Sequence, residues 1–360
     1  MPERSSIIGW DIGGAHVKAC LLQGGQVIDV AQWACPLWQG MEHLNTVLQA
    51  AWQRWPAMAQ AQHAVTMTGE MVDLFADREQ GVLAISAALA RSLEGPLRFF
   101  AGDAGWRREA ELPAHWADVA SANWLATARH AAIVIGTGLL VDIGSTTTDL
   151  VAFSKGRVPT ASRTDAQRLA TGELVYHGVV RTPLCAVAHR IDWRGQSHNV
   201  MNEFFATSAD VYRLTGELDP AHDLHPGADN AAKDADATCQ RLARMIGLDR
   251  RDASPDDWLA FARSWRALQV KVLGAEMQRV MAAYGLGTDA EVVSAGCGAF
   301  LVDDVVAGAF GTRPAGRRFS YGNDVAPVSA QAAGGSAAVR AWAQVCAPCV
   351  AVASLLSMDH

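Results

Sequence analysis

One short pattern occurs twice in this chain of 360 residues and restricts the folds open to it. In the first copy an apolar run ends in Asp11, and a Gly13-Gly14 turn leads into a second apolar run. In the second copy an apolar run ends in Asp142, and a turn at 144–148 leads into another apolar run. Each copy predicts a β-hairpin with a polar turn. Because the copies lie about one domain length apart, the pattern indicates an internal duplication.

Between and after the hairpins, predicted strands alternate with predicted helices, as is typical of an α/β protein. The longest helix is expected to begin after Ser254, a capping residue followed by a proline and two acids. It should run to Tyr284 with a break near Gly274. Further helices are predicted at 43–55, 81–93, 200–215, 299–306 and 335–358, and strands at 64–68, 97–101 and 291–295.

The two turns have the chemistry of an anion site. At Gly13, Gly14 and Ala15, backbone N–H groups can converge on a phosphate with little side-chain interference. The second turn adds four hydroxyl groups and consists of Gly144, Ser145, Thr146, Thr147 and Thr148. Gly296 and Gly298 follow a predicted strand and open a helix, which suits a third phosphate contact. We therefore expect a diphosphate site between two lobes, with ordinary hairpin turns as the alternative.

The acids beside these turns predict a metal ion. Asp11 and Asp142 end their strands just before the turns and would repel a bound phosphate. Mg²⁺ between the carboxylates and the phosphate, held mainly through water, removes that conflict. Lys18, on the strand leaving the first turn, would supply a further positive charge.

Composition excludes several classes of partner. The chain has 30 Lys and Arg against 37 Asp and Glu, a net charge of −7, which argues against nucleic-acid binding. The longest apolar stretches, 131–141 and 341–358, are too short or carry Pro348, so no membrane association is expected. Seven cysteines without a secretory signal predict reduced thiols in the cytoplasm. Small-molecule partners are expected, and a homo-oligomer remains open.

Two further groups have metal-ligand chemistry. Cys346 and Cys349 have redox or zinc spacing, but a second such pair is missing, which favours buried small residues. His222 and His225 lie in a predicted loop insertion near 217–236, where solvent exposure or hydrogen bonding is the favoured role.

The two hairpins and the third turn resemble the phosphate and adenosine motifs of the superfamily of sugar kinases, actin and heat-shock chaperone ATPases. The run from Asp142 to Asp149 is especially similar to the hydantoinase/oxoprolinase branch. Other stretches resemble the tetrahydromethanopterin-linked C1-transfer family, which has archaeal counterparts in methanofuran biosynthesis. These stretches are 9–18, 68–75, 120–124, 172–176 with 178–183, and 204–216.

The resemblance implies an α/β fold with two ribonuclease-H-like lobes of the actin-like ATPase type and a central phosphate-binding cleft. We expect the first lobe at 1–129 and the second at 130–334. A C-terminal helix at 335–360 could pack back on the first lobe.

The resemblance also implies an activity. The chain would be a transferase in biosynthesis of a C1 carrier of the methanofuran or methylofuran type. It would join an aminomethylfuran-methyl diphosphate to a tyramine- or tyrosine-derived phenol and release pyrophosphate, with ATP not expected. The alternatives are an ATP-dependent small-molecule kinase, a hydrolase of the hydantoinase/oxoprolinase type, or a nucleotide-gated binding protein.

Several polar residues are candidates for substrate contacts in this reaction. Glu70 and Asp73 could pair with the aminomethyl cation, or else cap a helix or face solvent. Asn123 could contact substrate in the cleft or act as a cap. Arg181 could bind a carboxylate or phosphate, or form an ion pair between domains.

The phenol also needs a base. Its pKa is about 10, so a catalytic base helps to remove its proton at neutral pH. His16 and Asp149 are the candidates, and a structural hydrogen bond within the turn is the alternative for each.

Overall fold

The chain folds into two structural units, and three separate segments form the first. A computed structural model describes residues 6–311 and 316–359. The first unit consists of 1–138, 151–167 and 318–360, and the second of 139–150 and 168–317.

These units differ from the predicted lobes at 1–129, 130–334 and 335–360. Residues just beyond 129 complete a helix of the first unit, where His130 Nδ1 lies 2.7 Å from the hydroxyl of Tyr321. Residues before 335 also belong there, because Val328 pairs with Val27 at the edge of the first sheet. Local sequence patterns indicate each element, but they do not indicate which sheet a returning segment joins.

The structure contains thirteen strands and twelve helices within its described residues. The strands are β1 (Ser6–Ile12), β2 (His16–Gln23), β3 (Gln26–Ala34), β4 (Gln62–Met67), β5 (Leu97–Phe100), β6 (Trp106–Arg107), β7 (Gly138–Ile143), β8 (Thr148–Phe153), β9 (Leu174–Val175), β10 (Arg190–Trp193), β11 (Gln196–Asn199), β12 (Val292–Ala295) and β13 (Arg318–Ser320). The helices are α1 (Glu42–Arg54), α2 (Arg78–Ser92), α3 (Leu112–Val119), α4 (Asn123–Ile135), α5 (Asp165–Thr171), α6 (Leu184–Val187), α7 (Ser208–Thr215), α8 (Ala235–Arg244), α9 (Pro255–Ala283), α10 (Val302–Phe310), α11 (Ser336–Val345) and α12 (Ala347–Met358).

The sheet of the first unit has the strand order β3-β2-β1-β4-β5-β6. Strands β1, β2 and β3 are antiparallel, whereas β4 and β5 run parallel to β1. An antiparallel meander extended by parallel crossovers is the ribonuclease-H-like arrangement. It brings the carboxyl ends of β1, β4 and β5 to one edge of the sheet, where α/β proteins bind their ligands.

The core of the first unit is built on the central strand β1. Ile8, Trp10 and Ile12 are fully buried, and burial of such side chains contributes about 1.5–3 kcal/mol each. Trp10 Nε1 donates to His63 Nδ1 at 3.1 Å, and His63 Nε2 lies 2.9 Å from the carbonyl of Glu94. Burial lowers the pKa of His63 to about 4, so its ring is a neutral hydrogen-bonding group at pH 7.

The C-terminal segment packs on the first unit as two helices instead of the single predicted one. Pro348, in the first turn of α12, and the irregular backbone at Cys346 separate α12 from α11. Helix α12 lies against β1, and Cys20 Sγ donates to the carbonyl of Cys349 at 3.3 Å. Among the described residues no single helix has the length and apolar composition to cross a membrane. Helices α11 and α12 pass that test only as a pair bent by 101°.

The sheet of the second unit repeats the first in part. Strands β7 and β8 form a hairpin, β9 pairs antiparallel with β8, and β12 pairs parallel with β7. The order β9-β8-β7-β12 therefore matches β3-β2-β1-β4. This match confirms the predicted duplication at the level of strand order.

The remaining differences from the sequence predictions lie in helices of the second unit. Ser254 caps α9 as predicted, but the helix is continuous through Gly274. A methyl group on Gly274 would lie 3.2 Å from the carbonyl oxygen of Val305, so the glycine allows α10 to approach α9 closely. The predicted helix at 200–215 begins only at Ser208.

Candidate active site

The first predicted turn joins β1 to β2 in the first unit. Asp11 is the penultimate residue of β1, is only 4% exposed and pairs across the hairpin with Lys18. Lys18 Nζ lies 3.9 Å from Asp11 Oδ2. The backbone N–H of Gly13 donates to the carbonyl of His16 at 3.0 Å and closes the turn over Gly14 and Ala15.

The second turn has the same construction in the second unit. Asp142 is the penultimate residue of β7 and is half-buried. The N–H of Gly144 donates to the carbonyl of Thr147 at 2.8 Å, as Gly13 does to His16. Both hairpins thus place an acid one residue before the strand end and close the turn with the same backbone bond.

Each Asp also lies near the carboxyl end of its strand, next to a neighbouring strand that runs parallel to it. Asp11 is in register with Thr66 on β4, and Asp142 is in register with Ala295 on β12. Both acids therefore lie at the edge of their sheet where the parallel strands end, which is the edge at which α/β proteins bind ligands.

A segment after β9 packs against the second turn. The N–H groups of Val179 and Arg181 donate to the carbonyls of Gly144 and Ser145 at 3.0 and 2.8 Å. Arg181 Nη1 lies 3.5 Å from Thr146 Oγ1, and burial lowers the pKa of the guanidinium, which remains a cation. The structure therefore brings Arg181 to the hydroxyl-rich turn within one unit, where its charge suits an anion.

Thr148 requires a correction. Its side chain is fully buried, and Oγ1 donates its single proton to the carbonyl of His177 at 2.6 Å. A hydroxyl committed in this way does not donate to a phosphate. Ser145, Thr146 and Thr147 are half-buried and keep the predicted role as a proposal, while Thr148 supports the turn.

Gly296 and Gly298 follow β12, as predicted. The N–H of Gly298 donates to the carbonyl of Ile143 at 2.8 Å, which fixes this third turn beside Asp142. A single helical turn and α10 follow the glycines. The third turn thus lies at the same edge of the second sheet as the Gly144 turn.

The first turn is backed by the segment that follows β4. The N–H of Thr68 donates to the carbonyl of Ile12 at 2.9 Å. Val72 lies so close to the turn that a methyl group on Gly14 would be 2.6 Å from Val72 Cγ1. Glu70 lies between these two contacts and therefore belongs to the surroundings of the first turn.

Glu70 is buried and only partly hydrogen-bonded. Its side chain is 1% exposed, and Ser121 Oγ donates to Oε1 at 2.7 Å. Among the described residues, Oε2 has no hydrogen-bond partner. Burial raises the pKa of Glu70 to about 7, although the Ser121 hydrogen bond, a hydrogen bond from the residue's own backbone N–H and the charge of Arg78 oppose this shift.

The other two predicted substrate contacts of the first unit differ from Glu70. Asp73 is exposed to solvent, whereas Glu70 is buried. Asn123 begins α4, and its Oδ1 accepts from the N–H of Trp124 at 2.8 Å. That bond runs to the next residue along the chain, and the residue at the capping position of α4, Ala122, forms no side-chain capping bond. Sequence reasoning missed Ser121, whose contact with Glu70 joins residues far apart in the chain.

The two candidate bases are in contrasting environments. His16 is 7% exposed at the start of β2. Asp149 accepts from Arg168 Nη2 at 2.6 Å, and the same nitrogen donates to the carbonyl of Glu173 at 3.0 Å. This buried ion pair gives Asp149 a structural role, which was the alternative to a role as the base.

The carboxylates of Asp11 and Asp142 have the hard oxygen donors that Mg²⁺ prefers. Within 6–311 and 316–359, no group of three or more His, Cys, Asp or Glu side chains is arranged to hold a metal ion. A Mg²⁺ ion would therefore take most of its ligands from water and phosphate. The donor chemistry fits the group that the sequence predicts.

The residues of the two other metal hypotheses lie in packed or ion-paired surroundings. Cys346 and Cys349 are buried, and Cys349 Sγ donates to the carbonyl of Cys346 at 3.1 Å. The loop that carries His222 and His225 is held by ion pairs of its acids, such as Asp229 with Arg241 at 3.0 Å. Neither group forms a metal cluster in the part of the chain that the structure describes.

The family model for hydantoinase/oxoprolinase matches residues 62–335. That range is most of the chain, and the protein belongs to this family. The resemblance inferred from the sequence is thereby confirmed.

Two archaeal relatives carry the name (4-{4-[2-(gamma-L-glutamylamino)ethyl]phenoxymethyl}furan-2-yl)methanamine synthase. The protein of Methanocaldococcus jannaschii is 28% identical over 301 residues, which is 83% of this chain and 88% of its own length. The protein of Methanococcus vannielii is 26% identical over 168 residues, 47% of this chain and 74% of its own.

A solved structure with a TM-score above 0.5 supports the fold. A nucleotide-free acetone carboxylase has a TM-score of 0.51 at 11% identity, covering 85% of this chain and 67% of that one. Together with the strand orders, it confirms the predicted α/β class. A glucokinase from Streptomyces griseus, of the ROK family and in complex with glucose and AMPPNP, has a TM-score of 0.48 at 14% identity. It covers 98% of this chain and 99% of that one.

Proposed function

We propose that this protein is a transferase that joins a furylmethyl diphosphate to the oxygen of a tyramine- or tyrosine-derived phenol and releases pyrophosphate. The observation that carries the proposal is the likeness to the Methanocaldococcus jannaschii synthase over 83% of this chain. The name of that relative describes a product with a phenoxymethyl group on a furan, which is an aryl ether at a furylmethyl carbon. The reaction belongs to biosynthesis of a C1 carrier of the methanofuran type.

The duplicated turns would bind the diphosphate. In this proposal the N–H groups of Gly14 and Ala15 and of residues 145–147 point to phosphate oxygens, and Lys18 and Arg181 balance their charge. The predicted N–H contacts of Gly13 and Gly144 are corrected, because these two groups close the turns. Asp11 and Asp142 would hold Mg²⁺, mainly through water, which neutralises charge as the leaving group departs. The matched backbone bonds of Gly13 and Gly144 support a matched role for the two turns.

The proposed reaction is a substitution and needs no oxidant or reductant. The phenol oxygen forms a bond to the furylmethyl carbon, and the bond from that carbon to the diphosphate oxygen breaks. The electron pair leaves with pyrophosphate, and the phenol proton passes to a base. The furan oxygen stabilises positive charge on the carbon, so stabilisation of the leaving group is the main task of the protein.

His16 is the base that the geometry favours over Asp149. His16 belongs to the first turn itself, because its carbonyl accepts the Gly13 N–H. Asp149 is engaged by Arg168. Breaking that pair to accept a proton would leave a buried guanidinium without its counter-charge.

The direct test supplies the purified protein with synthetic [5-(aminomethyl)furan-3-yl]methyl diphosphate, Mg²⁺ and either tyramine, tyrosine or γ-glutamyltyramine. Mass spectrometry should find the aryl ether, with an equal amount of pyrophosphate released only when a phenol is present. ATP hydrolysis or phosphoryl transfer without ether formation would favour a kinase. Ring opening of a hydantoin or oxoproline would favour a hydrolase of the same family.

The reaction would take place in a reducing compartment. Within the described residues the seven cysteines form no disulfide. This chemistry supports the cytoplasmic location expected from the sequence.

A further inference from the structure

We propose that Glu70, positioned by Ser121, is the residue that selects a substrate bearing a primary ammonium group. The inference rests on the proposed function and identifies which end of the furan substrate the first unit recognises. It also assigns this role to Glu70 alone, and not to Asp73.

The first observation is a buried acid with unused hydrogen-bonding capacity. Glu70 is 1% exposed, and Ser121 satisfies only its Oε1 atom. Its Oε2 atom has no hydrogen-bond partner among the described residues. An unsatisfied buried carboxylate oxygen is costly, so a fold that retains one has a reason to do so.

The second observation is backbone strain at the residue that holds Glu70. Ser121 has a φ of 51°, in the left-handed region that serine rarely adopts. Strain of this kind costs about 1–3 kcal/mol and persists where the surroundings or the function require it. Here it directs the Ser121 hydroxyl at Glu70 and leaves the other carboxylate oxygen available.

Among the described residues, the cation whose charge acts on Glu70 is engaged elsewhere. Arg78 pairs with Asp165 and contacts the sulfur of Met71. Arg78 and Asp165 act on Glu70 in opposite directions. Because Arg78 is engaged by Asp165, a positively charged ligand would give Oε2 a counter-charge of its own.

The position of Glu70 suits recognition of a bound substrate. It lies between Thr68 and Val72, both of which contact the first turn. On its other side the backbone is fixed by α2, because a methyl group on Gly81 would lie 2.5 Å from the carbonyl oxygen of Glu70. A molecule whose diphosphate binds at Gly13–Ala15 could place its other end within reach of this segment.

An ammonium group fits these observations better than other ligands. It donates a hydrogen bond to Oε2 and supplies the positive charge that the carboxylate lacks, whereas a hydroxyl group supplies only the hydrogen bond. The product named for the relatives is a methanamine, so its furan carries such an amine. Met71, 48% exposed beside Glu70, could move aside on binding.

The test compares two furan diphosphates, one with an aminomethyl group and one with a hydroxymethyl group in its place. Wild-type protein should prefer the amine, and Glu70→Gln should lower kcat/KM for the amine by about 30-fold or more. The same variant should change kcat/KM for the hydroxymethyl substrate by less than about threefold. Glu79→Gln, an exposed matched change in α2, should retain the wild-type preference.

Two further variants and a binding measurement complete the design. Ser121→Ala keeps the carboxylate and should weaken the preference to an intermediate degree, and Asp73→Asn should leave it intact. Calorimetry with (4-methylfuran-2-yl)methanamine measures amine binding without turnover, and binding should be lost in Glu70→Gln. Circular dichroism establishes that each variant is folded, and Glu70→Asp replaces Glu70→Gln if the latter does not fold.

The outcomes separate the two proposals. If wild-type protein forms no ether with either furan, the proposed function is wrong, and the calorimetry alone decides the role of Glu70. If it forms ether while Glu70→Gln keeps the wild-type preference, the assignment of Glu70 is wrong and the proposed function stands. If Asp73→Asn loses the preference for the aminomethyl substrate, Asp73 and not Glu70 recognises the ammonium group.

Discussion

The Cα atom of Gly296 faces the carboxylate of Asp142. A methyl group on Gly296 would lie 2.5 Å from Asp142 Oδ1 and 2.1 Å from the carbonyl oxygen of Ile143. Gly296 also has a φ of 85°, which side chains rarely adopt. The third turn thus holds the acid of the second hairpin in place because this position lacks a side chain.

We predict that Gly296→Ala displaces Asp142 and lowers kcat/KM at least 10-fold, on the order of the loss of one positioned catalytic group. Gly311→Ala is the matched control, since Gly311 has a φ of 80° and none of the residues that the structure describes lies within 4 Å of an added methyl group. Steady-state kinetics and thermal unfolding of both variants check this. Equal effects in the two variants would show that backbone strain alone is responsible.

The two turns should respond differently to one added methyl group. On Gly13 it would lie 2.7 Å from the carbonyl oxygen of His16, whereas on Gly144 it would lie 3.4 Å from that of Thr147. We expect Gly13→Ala to lower the free energy of unfolding by about 1–3 kcal/mol and Gly144→Ala to change it by less than about 1 kcal/mol. Urea unfolding of both variants measures this, and the opposite order would contradict the turn geometry.

The ion pair of Asp149 and Arg168 should matter for stability. The Arg168 side chain is 2% exposed and that of Asp149 is 14% exposed. Asp149→Ala leaves a buried guanidinium, so we predict a loss of about 3–5 kcal/mol in the free energy of unfolding. The exposed Asp192→Ala serves as the control. A fully stable Asp149→Ala protein without activity would instead identify Asp149 as the base.

The free energy of unfolding should depend on pH through the ionisation of Glu70. Its pKa is raised from 4.5 to about 7 in the folded protein, so between these values the folded state retains a proton that the unfolded state has lost. Stability therefore falls as pH rises through this window, by up to about 3 kcal/mol in total.

In Glu70→Gln this dependence should be absent. Relative to wild type, the variant should gain stability steadily from pH 5 to pH 7.5, as measured by urea unfolding at each pH. A constant difference across that range would show that Glu70 does not titrate there.

Much of the fold follows from short-range patterns in the sequence. Asp11 and Asp142 were recognisable because apolar runs and polar turns determine hairpins locally. Ser254 with Pro255 likewise marked the start of α9. The same reasoning failed at Gly274, because a glycine inside a helix pattern indicates a break as readily as a close helix contact.

The parts that could not be predicted depend on contacts between distant residues. The bond of Ser121 to Glu70 depends on a positive φ, and the commitment of the Thr148 hydroxyl to His177 depends on how β8 meets its neighbours. The strand pairing of Val27 with Val328 joins opposite ends of the chain. Such contacts are decided by packing, which one sequence does not display.

We propose that Asp11 and Asp142 each contribute to Mg²⁺-dependent binding of the diphosphate. Isothermal titration of pyrophosphate with and without Mg²⁺ tests it most directly in wild type, Asp11→Asn and Asp142→Asn. We predict Mg²⁺-dependent binding in wild type that each substitution weakens at least 10-fold, as expected for loss of one ligand carboxylate. Binding that is independent of Mg²⁺, or unchanged in both folded variants, would contradict the claim.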